Sequence, residues 1–269
     1  MSARTPEGYE RADVRGVTIV ARAGLMDAVR STLKAGTLYD YAAQHEDARS
    51  LAGRGIAYAV PLPSGDRVVV RHSRHGGLLA PLTGDRFLAP TRAPHELSAA
   101  LRLAKAGVPT PELVAYAVYP AGPLLRRSDV ATREIRDSRD LAAVLTSPDA
   151  SDRRACLDAA AALIGALSAA GARHHDLNVK NVLLARTGRG ARHPEFRAYV
   201  LDVDRMEFGR PGDSRITENN LDRFARSARK WRNLYGARVD EADLARIAAS
   251  VRRVVSAPPP ARRSASVRS

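Results

Sequence analysis

Two polar segments set beside apolar runs constrain this chain most: His174-His175-Asp176-Leu177-Asn178-Val179-Lys180-Asn181, and Asp202-Val203-Asp204 further on. Val182-Leu183-Leu184 leaves the first and Tyr199-Val200-Leu201 enters the second. Short apolar runs bounded by polar, glycine-containing stretches read as buried strands. Between them, Thr187 to Pro194 is a basic, glycine-containing loop, so the two strands read as a hairpin. Ahead of the first segment a long Ala/Leu run reaches Ala170, and Ser151-Asp152 can cap it as a helix. Any fold for this chain must therefore set a helix, a polar loop and a hairpin in series. Oxygen-bearing side chains then sit on the loop and on one hairpin arm.

Phosphoryl transfer from ATP needs such a set. A carboxylate orients and deprotonates the attacking hydroxyl, and oxygen ligands hold the Mg²⁺ that neutralises phosphate charge. The pattern H-x-D-L-x-x-x-N, then a strand, then an Asp, resembles the catalytic loop and metal motif of the protein-kinase-like superfamily. That resemblance makes Asp176 the base, and Asn181 and Asp202 the metal ligands. Two departures stand out: His175 replaces the usual Arg, and Asp204 replaces the glycine of D-F-G. A chance polar loop could imitate either motif alone, but not both in order beside the expected strands. His174 reads as a residue that holds the loop backbone. Neither a G-x-x-x-x-G-K-[ST] loop nor a G-x-S-x-G elbow occurs.

The N-terminal half adds ordered support. Val17 to Ala21 reads as a strand and Gly24 to Leu33 as a helix. Ile56 to Val60, the turn Pro63-Ser64-Gly65-Asp66 and Arg67 to His72 make an antiparallel pair. A helix opens near Pro94 and ends at Gly107, Val114 to Tyr119 is a strand, and Ala131 to Ile135 is another. Arg71, at the end of Val68-Val69-Val70, stands where the superfamily places a lysine that reaches the ATP phosphates. Glu96, early in the next helix, is placed to pair with it, although each alone would pass for a surface residue. Gly53-Arg54-Gly55 is either a turn over the nucleotide phosphates or a plain β-turn, because Tyr58 falls where a third glycine belongs.

The expected fold is α+β and protein-kinase-like, with a small β-rich N-lobe and a larger helical C-lobe. Residues 1–50 form a lead-in to the N-lobe of 51–135, the C-lobe covers 136–256, and 257–269 is a disordered basic tail. Helices are expected from Leu221 to Tyr235 and from Glu241 to Val255.

A narrower resemblance follows from further residues: Arg71-His72-x-x-His75-Gly76-Gly77, Gly107-Val108-Pro109-Thr110-Pro111, Thr132-Arg133-Glu134-Ile135, the H-x-D-L-N-x-x-N loop, and Leu201-Asp202-Val203-Asp204-Arg205. From about residue 50 to 235 the chain resembles the lipopolysaccharide core kinases, and within them the 3-deoxy-D-manno-octulosonic acid (Kdo) branch. Asn181 favours that branch, since the heptose kinases replace the residue at that position. His75 and Val203 depart from the family, which often has Arg and Phe there. The resemblance implies ATP- and Mg²⁺-dependent phosphorylation of a hydroxyl of Kdo attached to lipid A, or of a related lipopolysaccharide precursor. The competing readings are a heptose kinase, an aminoglycoside-type phosphotransferase, a Ser/Thr kinase, or a silent pseudokinase or basic nucleic-acid-binding module. Pro211-Gly212 follows Asp202 too closely for an activation loop.

The formal net charge of +14 suits a polyanionic partner without choosing among nucleic acid, anionic membrane and phosphorylated substrate. Aromatic residues do not interleave with the basic patches, so no nucleic acid is expected. Arg223, Arg226, Arg229, Lys230 and Arg232 recur on one late helix, with Arg223, Arg226 and Lys230 on one face. They form either a membrane or substrate patch or a solvated helix face. Cys156 is the single cysteine, so no internal disulfide forms. The first twenty residues lack an apolar core, and no stretch approaches about 18 apolar residues. The expected location is cytoplasmic, peripheral on the cytoplasmic face of the inner membrane.

Overall fold

The computed structural model describes residues 4–51, 56–72, 87–88, 91–149, 151–187 and 195–256. Gly53, Gly55, Gly76-Gly77, most of the Thr187 to Pro194 loop and the tail from Ala257 lie outside the described residues. The chain divides into two compact units, Met1–Ser138 with Tyr199–Met206, and Arg139–Ala198 with Glu207–Ser269.

The first unit is built on an antiparallel sheet. Its strands are β1 (Tyr9–Val14), β2 (Val17–Arg22), β3 (Arg49–Leu51), β4 (Ala57–Pro61), β5 (Arg67–His72), β6 (Phe87–Leu88), β7 (Leu113–Pro120) and β8 (Leu125–Arg133). They run in the order β1-β2-β7-β8-β5-β4-β3, with β6 also paired to β8. Helices α1 (Met26–Thr32) and α2 (Leu38–Gln44) bury Val29 and Leu38 against Ile19, Val60, Val68, Val70 and Val114. Helix α3 (Ala93–Lys105) has Pro94 in its first turn, where a missing N–H costs nothing.

Period-two alternation along β5 decides which side chains face which way. Val68 and Val70 join the core with α1 and α2, and His72, in step with them, stacks on Tyr39 of α2 with ring centroids 3.7 Å apart. Arg71 is therefore turned to the opposite face, where it meets Glu96 of α3.

Strand β8 begins at Leu125, well before the apolar residues that mark it in the sequence. Its early part, Arg126-Arg127-Ser128-Asp129, reads as loop because it is polar. Yet Asp129 is fully buried, accepting from the Tyr39 N–H at 3.0 Å and meeting His72 Nδ1 at 2.5 Å. A buried carboxylate is tolerated when it is bonded this way, and its partners are far off in sequence.

The second unit holds all or most of β9 (Ser138–Asp140), α4 (Leu141–Thr146), α5 (Arg153–Ala169), β10 (Ala172–His174), β11 (Val182–Thr187), β12 (Glu195–Val200), β13 (Met206–Phe208), α6 (Ser214–Tyr235) and α7 (Glu241–Ser256). Leu141, Leu145, Leu157, Ile164, Leu167, Leu177 and Phe224 are its largest fully buried side chains. Asp152 occupies the N-cap of α5 but makes no side-chain cap bond; its carboxylate takes Arg186 at 2.8 Å instead. Helix α6 starts at Ser214, ahead of the expected Leu221, because Asp213 caps it by accepting from the Arg215 N–H at 2.8 Å. The added turns are polar, but Thr217 and Asn220 are buried in them.

Candidate active site

In the second unit the candidate loop runs from β10 into a 3₁₀ turn at Val179–Asn181. Asn178 caps that turn, its Oδ1 accepting from the Lys180 and Asn181 N–H groups at 2.9 and 3.1 Å. The Asp176 carbonyl accepts from Asn178 Nδ2 at 3.1 Å and from Asn181 Nδ2 at 2.9 Å. These bonds fix the amide of Asn181 and turn its Oδ1 away from that carbonyl. His174 is 3% exposed and its Nδ1 accepts from the Asp176 N–H at 3.1 Å, the backbone-holding role read from the sequence. His175 points elsewhere, to Glu207 at 2.9 Å.

Helix α6 holds this loop from below. Asn220 is fully buried, accepting from the His174 N–H at 3.1 Å and donating to the Ala172 carbonyl at 2.9 Å. Ser227 Oγ accepts from the Val179 N–H at 3.2 Å. Gly171, which opens β10, has φ +67°, and a Cβ there would meet the Gly209 and Arg210 carbonyl oxygens at 2.7 Å. Arg223, from the same helix, ion-pairs with the Asp176 carboxylate and donates from Nε to the His175 carbonyl at 3.2 Å. The sequence puts Arg223, Arg226 and Lys230 on one helix face, read as a membrane or substrate patch or a solvated face; of the three, Arg223 is engaged with the loop. Arg229 and Arg232 close on Glu241 at 2.7 and 3.0 Å and hold its carboxyl down at about 2.

In the first unit a second constellation forms. Arg71 Nη2 lies 2.6 Å from Glu96 Oε1 and 3.7 Å from Asp202 Oδ1. Arg92, just before α3, reaches Asp204 at 3.1 Å. Asp204, which breaks the D-F-G pattern, is thus the residue that fastens the Asp202 turn to the start of the Glu96 helix. Asp202 itself has φ +59°, a left-handed conformation that Asp tolerates better than most residues. Burial pushes the Glu96 carboxyl up, with Asp204 and Asp202 adding to the push and Arg71 opposing it. Burial works against charge on Arg71, but Glu96, Asp202 and Asp204 together keep it firmly protonated. Glu96 Oε2 is buried with no hydrogen-bond partner among the described residues.

Among the described residues three carboxylates thus share two guanidiniums. Among the described residues no three His, Cys, Asp or Glu side chains form a metal site by themselves. Asp202 in the first unit has a half-exposed carboxylate and Asn181 in the second a held amide, each an oxygen donor of the kind Mg²⁺ takes. Cys156 is fully buried, and burial pushes its thiol up to about 11, so it is inert.

Family and fold together define the class: a kinase of α+β architecture. The chain belongs to the lipopolysaccharide kinase (Kdo/WaaP) family, whose model matches residues 41–250. A 3-deoxy-D-manno-octulosonic acid kinase of Xanthomonas oryzae pv. oryzae (strain PXO99A) is 32% identical over 70% of this chain and 72% of its own length. The enzyme of that name from Vibrio parahaemolyticus is 28% identical over 67% of this chain and 72% of its own. A solved structure of WaaP in complex with acyl carrier protein shares the fold, with a TM-score of 0.54 at 21% identity, covering 87% of this chain and 88% of that one. The kinase reading of the sequence and its narrower family resemblance agree with these findings. No helix among the described residues is long and apolar enough to cross a membrane.

Proposed function

We propose that this protein transfers the γ-phosphate of ATP to a hydroxyl of Kdo in a lipid A-linked lipopolysaccharide precursor. The observation that carries the reading is the hydrogen-bonded loop that presents Asp176 together with the fixed amide of Asn181. Asp176 accepts the proton of the attacking hydroxyl as the new O–P bond forms, and the bond from the γ-phosphorus to the ADP oxygen breaks. Arg71 binds phosphate oxygens through its planar fork, and Glu96 holds that fork in place. Asn181 and Asp202 would hold Mg²⁺, which when bound neutralises charge on the phosphates. Gly53 and Gly55 would cover the nucleotide; they lie outside the described residues.

A lipid-anchored acceptor places the enzyme at the cytoplasmic face of the inner membrane. Basic side chains near an anionic surface contribute roughly 1 kcal/mol each. On α6 Arg226 and Lys230 are exposed and hold no ion pair among the described residues, so they are the side chains left for such a surface. The test is direct. Purified protein with ATP, Mg²⁺ and Kdo-lipid A should yield a phosphorylated sugar, and Asp176→Ala should not. Transfer to a heptose, an aminoglycoside or a peptide with none to Kdo would overturn the acceptor assignment.

A further inference from the structure

We propose that Arg223 is a positioning residue for Asp176, supplying from α6 the cation that the loop itself does not present to its base. The inference rests on the reading of Asp176 as the catalytic carboxylate. Two of the basic side chains of the loop, His175 and Lys180, meet other carboxylates. His175, in the place where protein kinases carry Arg, turns to Glu207 at 2.9 Å. Lys180 lies 3.8 Å from Asp140 and 5.8 Å from the Trp231 ring centroid. Asn178, two residues after the base, spends both side-chain atoms on loop backbone.

Arg223 reaches the Asp176 carboxylate as an ion pair. It comes from 47 positions along the chain and arrives oriented, because its Nε is already bonded to the His175 carbonyl. Holding the guanidinium at two points defines the direction from which it meets Oδ1. Pinning Oδ1 in turn fixes the rotation of the carboxyl about its Cβ–Cγ bond, and so the direction in which Oδ2 meets an incoming hydroxyl. The side chains are 33% and 23% exposed, so the pair is only partly screened by water and still open to ligands. Helix α6 is a rigid support for this contact, since Asn220 and Ser227 tie it to the same loop on either side of Arg223.

The test is a kcat-against-KM split combined with a double-mutant cycle. Arg223→Gln should lower kcat by roughly 10- to 100-fold, the loss expected when a reacting group is displaced by about 1 Å. The KM for ATP should stay within about twofold, because the contact is not made to nucleotide. Arg223→Lys should recover part of the loss, and added guanidinium ion should partly rescue Arg223→Ala. In an Asp176→Asn background, Arg223→Gln should cost nothing further. Wild-type kcat in Arg223→Gln overturns the proposal, and so does a full additional loss in the Asp176→Asn background. The same comparisons can be read on slow ATP hydrolysis without sugar. A protein inert toward Kdo-lipid A, yet showing the Arg223 effect on hydrolysis, would refute the acceptor assignment and leave the Arg223 proposal standing.

Discussion

The two constellations are held by different forces. Around Arg71 the partners are charges: Glu96, Asp202, Asp204 and Arg92, drawn from β5, α3 and the Asp202 turn. Around Asp176 the partners are mostly uncharged, and most of them bond to backbone: His174, Asn178, Asn181, Asn220 and Ser227. Buried charge is costly to assemble and can often be exchanged for apolar packing without loss of stability. Backbone groups cannot be exchanged, so whatever satisfies them has to stay. The comparison teaches that the Arg71 cluster could be exchanged for apolar packing without loss of the fold, whereas the bonds of the Asp176 loop are kept by the fold itself.

The largest effect expected is on chemistry. Asp176→Asn should reduce phosphotransfer by roughly 10²- to 10⁴-fold, as loss of a general base does, with an unchanged circular dichroism spectrum. An equally large shift in the thermal midpoint would mean that the loop leans on Asp176 for its shape.

Next come the two changes that set the regions against each other. Arg71→Met strands the Glu96 carboxylate, only 5% exposed, and should cost about 3 kcal/mol in denaturant unfolding. The double change Arg71→Met with Glu96→Leu should restore most of that stability while leaving the enzyme inactive. If the double variant stays as unstable as the single, the cluster is structural and the contrast collapses. Asn220→Ala should cost about 2 kcal/mol by unpairing the His174 N–H and the Ala172 carbonyl. An Asn220→Leu variant, although apolar, should recover none of it.

A smaller effect concerns acid. Burial alone would raise the Glu134 carboxyl, but the guanidiniums of Arg67 at 2.5 Å and Arg49 at 2.7 Å outweigh it and hold it below its usual value. With the folded value depressed, this contribution to stability is full above the unfolded carboxylate value. It is lost as pH falls through the folded value. Glu134→Gln should therefore flatten the acidic limb of a stability–pH curve, and a limb of unchanged slope would deny the ion pairs this role. Smallest of all, Glu241→Gln should leave activity and unfolding midpoint where they are, since its pairs with Arg229 and Arg232 are exposed.

The legible parts of the fold were those written in local pattern. The valine run marked β5, the proline-opened helix marked α3, and Ala/Leu density marked α5. Illegible were the polar start of β8, which needs His72 and Tyr39 to bury Asp129, and the first turns of α6, which need the His174 N–H and the Ala172 carbonyl to bury Asn220. Short α2 was missed as well, although Thr37 and Asp40 close a capping box at its start, a signal that the residues Thr37-x-x-Asp40 carry in the open.

By itself the sequence determined the loop: spacing of Asp176, Asn178 and Asn181 along one turn brings the two amide side chains to the Asp176 carbonyl, a matter of a few bonds. It also placed Arg71 and Glu96 as partners. Only the tertiary structure decided that Asp204 is fastened by Arg92, 112 positions away, and that Arg223 holds Asp176. Local hydrogen bonds follow from chain geometry over a few residues. A charge finds its counter-charge only after the chain has folded back on itself, and no spacing in the sequence records that distance.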